Sequence, residues 1–171
     1  MKNIVAVIGL LILFILIFGG SIANINNTAI RYEVQVDEQF SNIRAQERRR
    51  QDLVKSLVST VEQASNFEGE TLQKVIEARA SSERGDVGTA MANIQAVAEA
   101  YPILNSIDLY KQLMLEISTT ENLIVEQRKT YNSTVSRYNS YTRSFPASMF
   151  IQRKDIQMLE LEVEEYNPEL F

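Results

Sequence analysis

The stretch SIDLYKQLMLEISTTENLIVEQRKTYNSTVSRYNSYTRSF, residues 106–145, decides how this chain folds. Tyr110, Ile117, Ile124, Tyr131, Tyr138 and Phe145 recur in it at seven-residue intervals. Their companions three residues on are Leu113, Thr120, Gln127, Thr134 and Tyr141. One helix face is thereby sustained over about five heptads, with one half of the seam polar in its middle. Ser106 suits the N-cap and Asp108 the first turn. Phe145-Pro146 ends the helix, because a residue before proline is pushed out of the α region.

Upstream, Val36, Phe40, Ile43, Glu47, Arg50, Val54, Leu57, Val61 and Ala64 alternate steps of three and four, a second heptad seam reaching about Asn66. Two short helices are predicted between the seams, at Glu70–Glu83 and Asp86–Ala100. Arg84-Gly85-Asp86 is the turn between them, and Tyr101-Pro102 ends the second. No alternating run of β-branched residues is bounded by turn residues, so strands are not expected. The fold class is all-α: one N-terminal transmembrane helix, then an antiparallel bundle of two long and two short helices. Each long helix has about forty residues, roughly 60 Å at 1.5 Å per residue. The short pair folds back on the distal half of the first, and the last helix runs down again. In that register the two middles meet, and Glu47, Arg50, Gln127 and Arg128 form a structural polar layer, since a buried charge needs a partner.

Ile4 to Ala23 carries no charge, and twenty helical residues span roughly 30 Å, the hydrocarbon thickness of a bilayer. Each Leu, Ile, Phe or Val there favours insertion by roughly 0.3–0.6 kcal/mol. A cleaved signal peptide is the competing reading, with Lys2 as the basic end and Ser21-Ile22-Ala23 as the cleavage site. The length of the apolar run and the start at Met1 favour an uncleaved anchor. Gly9, Gly19 and Gly20 do not form a GxxxG pattern. Lys2 on the short side, against Glu33, Asp37 and Glu38 around Arg31, places the N-terminus inside and the domain outside the cell membrane. The organisation expected is an anchor at 1–23, a helical bundle domain at 24–148 and an acidic tail at 149–171.

Composition removes several function classes. The chain has no Cys, His or Trp, and a net charge of −5. No disulfide, no zinc or haem site of the usual kind, and no Cys–His or Ser–His nucleophile pair can be built. Glu116, Glu121 and Glu126 invite comparison with di-iron bundles, but those use Glu-x-x-His, so no metal and no cofactor is expected. Arg48-Arg49-Arg50 splays around its helix and cannot form one basic patch, and no nucleic acid is expected.

Several strings together resemble the LemA family. Arg48-Arg49-Arg50-Gln51-Asp52-Leu53-Val54-Lys55-Ser56-Leu57-Val58 is similar to its "KRRYDLIPNLV". Glu70-Thr71-Leu72-Gln73-Lys74-Val75-Ile76-Glu77-Ala78-Arg79-Ala80 resembles "ETLxxVxEARA". Ala98-Glu99-Ala100-Tyr101-Pro102-Ile103-Leu104 resembles "VEAYPDL". Thr120-Glu121-Asn122, Arg128, Tyr131-Asn132, Tyr138-Asn139 and Phe145-Pro146 follow "TENRIAxARxxYN…YN…FP". The resemblance runs in order from about Val36 to Phe145. It implies a bacterial or phage membrane protein with one N-terminal anchor and a helical domain, and no established catalytic residues to carry over. Lys55 stands where the family often has Pro, and the lipobox Cys of many relatives is missing.

The Tyr131-Asn132 and Tyr138-Asn139 repeat reads as core with satisfied hydroxyls rather than a ligand box. The acidic tail reads as a solvated end, with a docking motif for a basic partner as the alternative. Val34, Val36, Phe40, Tyr138, Tyr141 and Phe145 look underfilled in a two-helix pair, so an oligomer interface is expected at Val36, Phe40, Tyr138, Tyr141 and Phe145. Met149-Phe150-Ile151 should lie near the headgroups or against an adjacent subunit. The function expected is a membrane-anchored scaffold that self-associates, without enzymatic activity, whose partners are the lipid bilayer, further copies of itself and an unidentified protein. The alternative is an extracytoplasmic sensory or binding domain with a separate output partner.

Overall fold

The computed structural model describes residues 2–64 and 66–160, with side-chain environments from Val7 onward. Among the described residues five α-helices follow one another: α1 Lys2–Ala64, α2 Gly69–Arg84, α3 Val87–Ala100, α4 Asp108–Arg143 and α5 Ala147–Phe150. A 3-10 turn at Pro102–Ser106 leads into α4. The all-α class is the expected one, with two long helices, α1 and α4, and the short pair α2 and α3; α5 is an additional single turn. The anchor and the first domain helix are one uninterrupted helix of 63 residues. Lys55 in place of proline lets the backbone hydrogen bonds continue there.

Two compact units divide the chain. The first is Asn42–Gln127. Its core joins Val54, Leu57, Val58 and Val61 of α1 to Val75 and Ala78 of α2, Ala90, Ile94 and Val97 of α3, and Tyr110, Leu113 and Ile117 of α4. Phe67 closes the α1–α2 connection with its ring edge-on to Tyr101, centroids 4.9 Å apart. Gly85 ends α2 with φ +80°, in the left-handed region, and its amide donates to the carbonyls of Ser81 and Ser82. Asp86 caps α3 by accepting from the Thr89 amide at 3.1 Å. Hydrogen bonding to Thr89, its side chain first and its amide second, holds the Asp86 carboxyl below the usual carboxylate range.

The second unit combines the part of α1 up to Ser41 with the chain from Arg128 onward. The two helices are antiparallel here: Phe40 meets Tyr131 at 5.8 Å, and Tyr32 meets Tyr141 at 5.4 Å. α4 stops at Arg143, two residues before the expected Phe145, and Phe145 leaves the seam with 81% of its surface exposed. α5 follows, and the chain then turns back along α4 as an irregular segment over 151–160. The acidic residues Glu162, Glu164, Glu165 and Glu169 lie outside the described residues.

Candidate functional site

The Tyr–Asn repeat of α4 is where the sequence concentrates unusual residues, and its two residue types divide the work. Tyr131 and Tyr138 are buried, and burial raises their hydroxyl pKa above the ordinary tyrosine value, with lesser contributions from Asp37 and Asp155. Asn132 and Asn139 sit one position off the seam, half-buried, and face the returning segment. Asn139 donates from Nδ2 to the Ile156 carbonyl at 2.9 Å, and its Oδ1 accepts from the Ile156 amide at 3.0 Å. Asn132 repeats this with Leu159, both bonds at 2.8 Å.

The register follows from helix geometry. Seven helical residues advance about 10.5 Å. Three residues of extended chain advance about 9–10 Å, so Ile156 and Leu159 match Asn139 and Asn132 without strain. Along the segment Arg153, Ile156 and Leu159 are partly covered while their neighbours are exposed, a three-residue repeat. Side chains fix the same register. Arg143 Nε donates to Asp155 at 3.1 Å, its second nitrogen also engages that carboxylate, and Arg153 pairs with Glu33. The Arg143 guanidinium holds the Asp155 carboxyl below the usual carboxylate range. Tyr131 Oη lies 3.4 Å from the Gln157 carbonyl, a long contact. Over 151–160 the tail is therefore a docked strap, not the solvated end read from its charge.

Burial within one chain bears on the expected oligomer residues. Val36 and Tyr138 are 3% and 2% exposed within one chain, so the premise that they lack partners does not hold for them. Phe40 and Tyr141 are half-buried, Tyr141 donating its hydroxyl to the Ile25 carbonyl at 3.0 Å. Phe145 is exposed. The polar-layer residues Glu47, Arg50, Gln127 and Arg128 are all half-buried. Arg50 Nε is buried without a hydrogen-bond partner among the described residues. Arg49 reaches Glu116 at 3.8 Å on the surface, a pair worth under about 1 kcal/mol.

Among the described residues no group of three or more carboxylates converges as a metal site would require. A shallow depression of about 310 Å³ lies between the end of α1 and α2, lined by Glu62, Asn66, Phe67, Leu72, Val75 and Ile76. It brings no base and nucleophile together.

The LemA family's sequence profile matches residues 39–169. Protein LemA of Metamycoplasma hominis is 27% identical over 142 residues, covering 76% of this chain and 65% of that protein. Magnetosome protein MamQ 1 of Paramagnetospirillum magneticum is 36% identical over 62 residues, which is 36% of this chain and 23% of that protein. Magnetosome protein MamQ of Magnetospirillum gryphiswaldense is 31% identical over 62 residues, again 23% of its length. The chain thus spans under a quarter of the magnetosome relatives and about two-thirds of the mycoplasma one.

Proposed function

We propose, from the premise that this chain belongs to the LemA family, that it is a membrane-anchored structural protein that catalyses nothing and self-associates. The observation that carries the anchor is the surface of α1. Val7, Ile8 and the run Leu10 to Phe18 are each 49–67% exposed among the described residues, with only Phe150 resting on Phe18. A row of large apolar side chains that no protein buries needs hydrocarbon around it. The same helix continues without a break beyond the uncharged run.

For self-association, the support is the stretch of α1 just beyond the apolar run. Ile30 and Val34 lie one turn apart and are 40% and 58% exposed. Anchoring confines copies to two dimensions and raises their effective concentration. The chain has no cysteine, so Val34→Cys offers one defined cross-linking site. Oxidation in membranes should yield a species of twice 19.5 kDa. Monomer alone, with the thiol still reactive to maleimide, would count against self-association through this face. The charge bias, Lys2 before the span against Glu33, Asp37 and Glu38 beyond it, supports a domain outside the cell.

The second reading, a binding domain working with a separate partner, is supported by the Asn132–Asn139 pair. Bidentate amides read main chain irrespective of side-chain sequence, a device that suits capture of extended polypeptide. Displacement of the strap by an added extended peptide would favour this reading.

A further inference from the structure

Three of the most apolar side chains after α4 are exposed: Phe145 at 81%, Met149 at 68% and Phe150 at 40%. Their height along α1 decides what covers them. Arg153 pairs with Glu33, and Ala147 and Ile151 pack on Ala29 with Ile25 and Tyr141 beside them. Phe150 lies lowest, its ring edge-on to Phe18 with centroids 5.9 Å apart. The chain therefore descends along α1 to Phe18, turns at α5, and climbs back to Glu33. Phe18 belongs to the uncharged run, whose end at Ala23 is five residues, about 7.5 Å, further up the helix. A ring resting on Phe18 lies below that end.

We propose that the α5 turn is a second membrane contact, in which Phe145, Met149 and Phe150 enter the lipid interface beside the span. The inference rests on the anchor reading. Lipid is the occupant because the contact continues a surface that only lipid can cover. Phe18 stacks on Phe14 at 5.9 Å, and the helix around them exposes Leu13, Ile15, Leu16 and Ile17. A short apolar turn sits about 5–10 Å into the headgroup–acyl boundary, with cationic stems reaching back to the phosphates. Such a foot fixes the rotation of α1 about its own axis, which one span alone leaves free. It also assigns Phe145 to lipid rather than to a subunit interface.

The chain contains no tryptophan, so single-Trp reporters are unambiguous. Phe150→Trp and Met149→Trp read the foot, Phe14→Trp reads the span, and Ile103→Trp serves as an aqueous control. Each full-length variant is placed in phosphatidylcholine–phosphatidylglycerol vesicles carrying a nitroxide at the headgroup, high on the acyl chain, or at its end. The expected result is quenching of Phe14→Trp by the deep label and of both foot reporters by the shallow labels, with blue-shifted emission and little loss to iodide. Foot reporters quenched by iodide, with Phe14→Trp still quenched by lipid, would overturn the foot and leave the anchor standing. Foot reporters shielded from both quenchers would assign the surface to a second protein copy and equally overturn it. No lipid quenching of Phe14→Trp would remove the anchor and the foot together.

Discussion

Asn139→Ala should undock the strap without unfolding the helices. The substitution deletes two hydrogen bonds, of 2.9 and 3.0 Å, to the Ile156 carbonyl and amide. Each is worth about 0.5–1.5 kcal/mol net, so the docked state should lose about 1–3 kcal/mol. At about 1.4 kcal/mol per tenfold, the opening equilibrium rises roughly 5–150-fold. The loss stays local because the freed groups of Ile156 reach water once the segment lifts. Amide exchange at Ile156 and Leu159, whose N–H groups donate to Asn139 and Asn132, is the direct readout. Trypsin cleavage after Arg153 and Lys154 gives a second. Both should accelerate by that factor, while exchange at the buried Ile94 of α3 stays unchanged. Asn132→Ala should act similarly, and the double variant should differ from the sum because both residues hold one segment. Unchanged exchange at Ile156 in Asn139→Ala would refute the claim that the asparagine ladder holds the strap.

Other outcomes follow from the same structure. Gly85→Ala should lower stability by about 1–2 kcal/mol, since φ +80° penalises any Cβ even though the site has room for one; a thermal melt unchanged from wild type contradicts the cap. Arg50→Ala tests the proposed polar layer: loss of one member of a buried pair costs about 3–5 kcal/mol, whereas an exposed pair is worth under about 1. A melting shift no larger than that of Lys74→Ala would reject the layer. Tyr110, Tyr131 and Tyr138 have raised pKa values through burial. Their contribution to stability is complete below the pKa of free tyrosine and is lost as pH rises through the higher folded values. Alkaline titration followed by tyrosinate absorbance should therefore show Tyr110, Tyr131 and Tyr138 ionising above the free-tyrosine value, with a fall in stability above about pH 10; ionisation of these three at the free-tyrosine value in the folded chain contradicts this.

The helices were legible because each rests on local chemistry. The hairpin expected at Glu70–Glu83 and Asp86–Ala100 is observed at Gly69–Arg84 and Val87–Ala100, with Gly85 and Asp86 as its turn and cap. Each residue of the α1 seam from Val36 to Ala64 is buried or half-buried, including charged Glu47 and Arg50. The strap was not legible, for a physical reason. Its side chains show neither the two-residue period of a strand nor the 3.6-residue period of a helix, and its charge suggested solvation. What holds it is largely its own main chain, which Asn132 and Asn139 grip whatever residues stand at 156 and 159. The signal lay on the other partner, in two asparagines seven residues apart beside the α4 seam. Val36 and Tyr138 are buried within one chain, so the expectation that they are short of neighbours does not hold for these two.

The central claim, an anchored protein that acts by associating with itself, is tested most directly by the mass of the full-length particle in mild detergent. Light scattering coupled to size exclusion, with the detergent contribution subtracted, should give a whole-number multiple of 19.5 kDa greater than one. A protein mass of 19.5 kDa across the accessible concentration range would contradict the account.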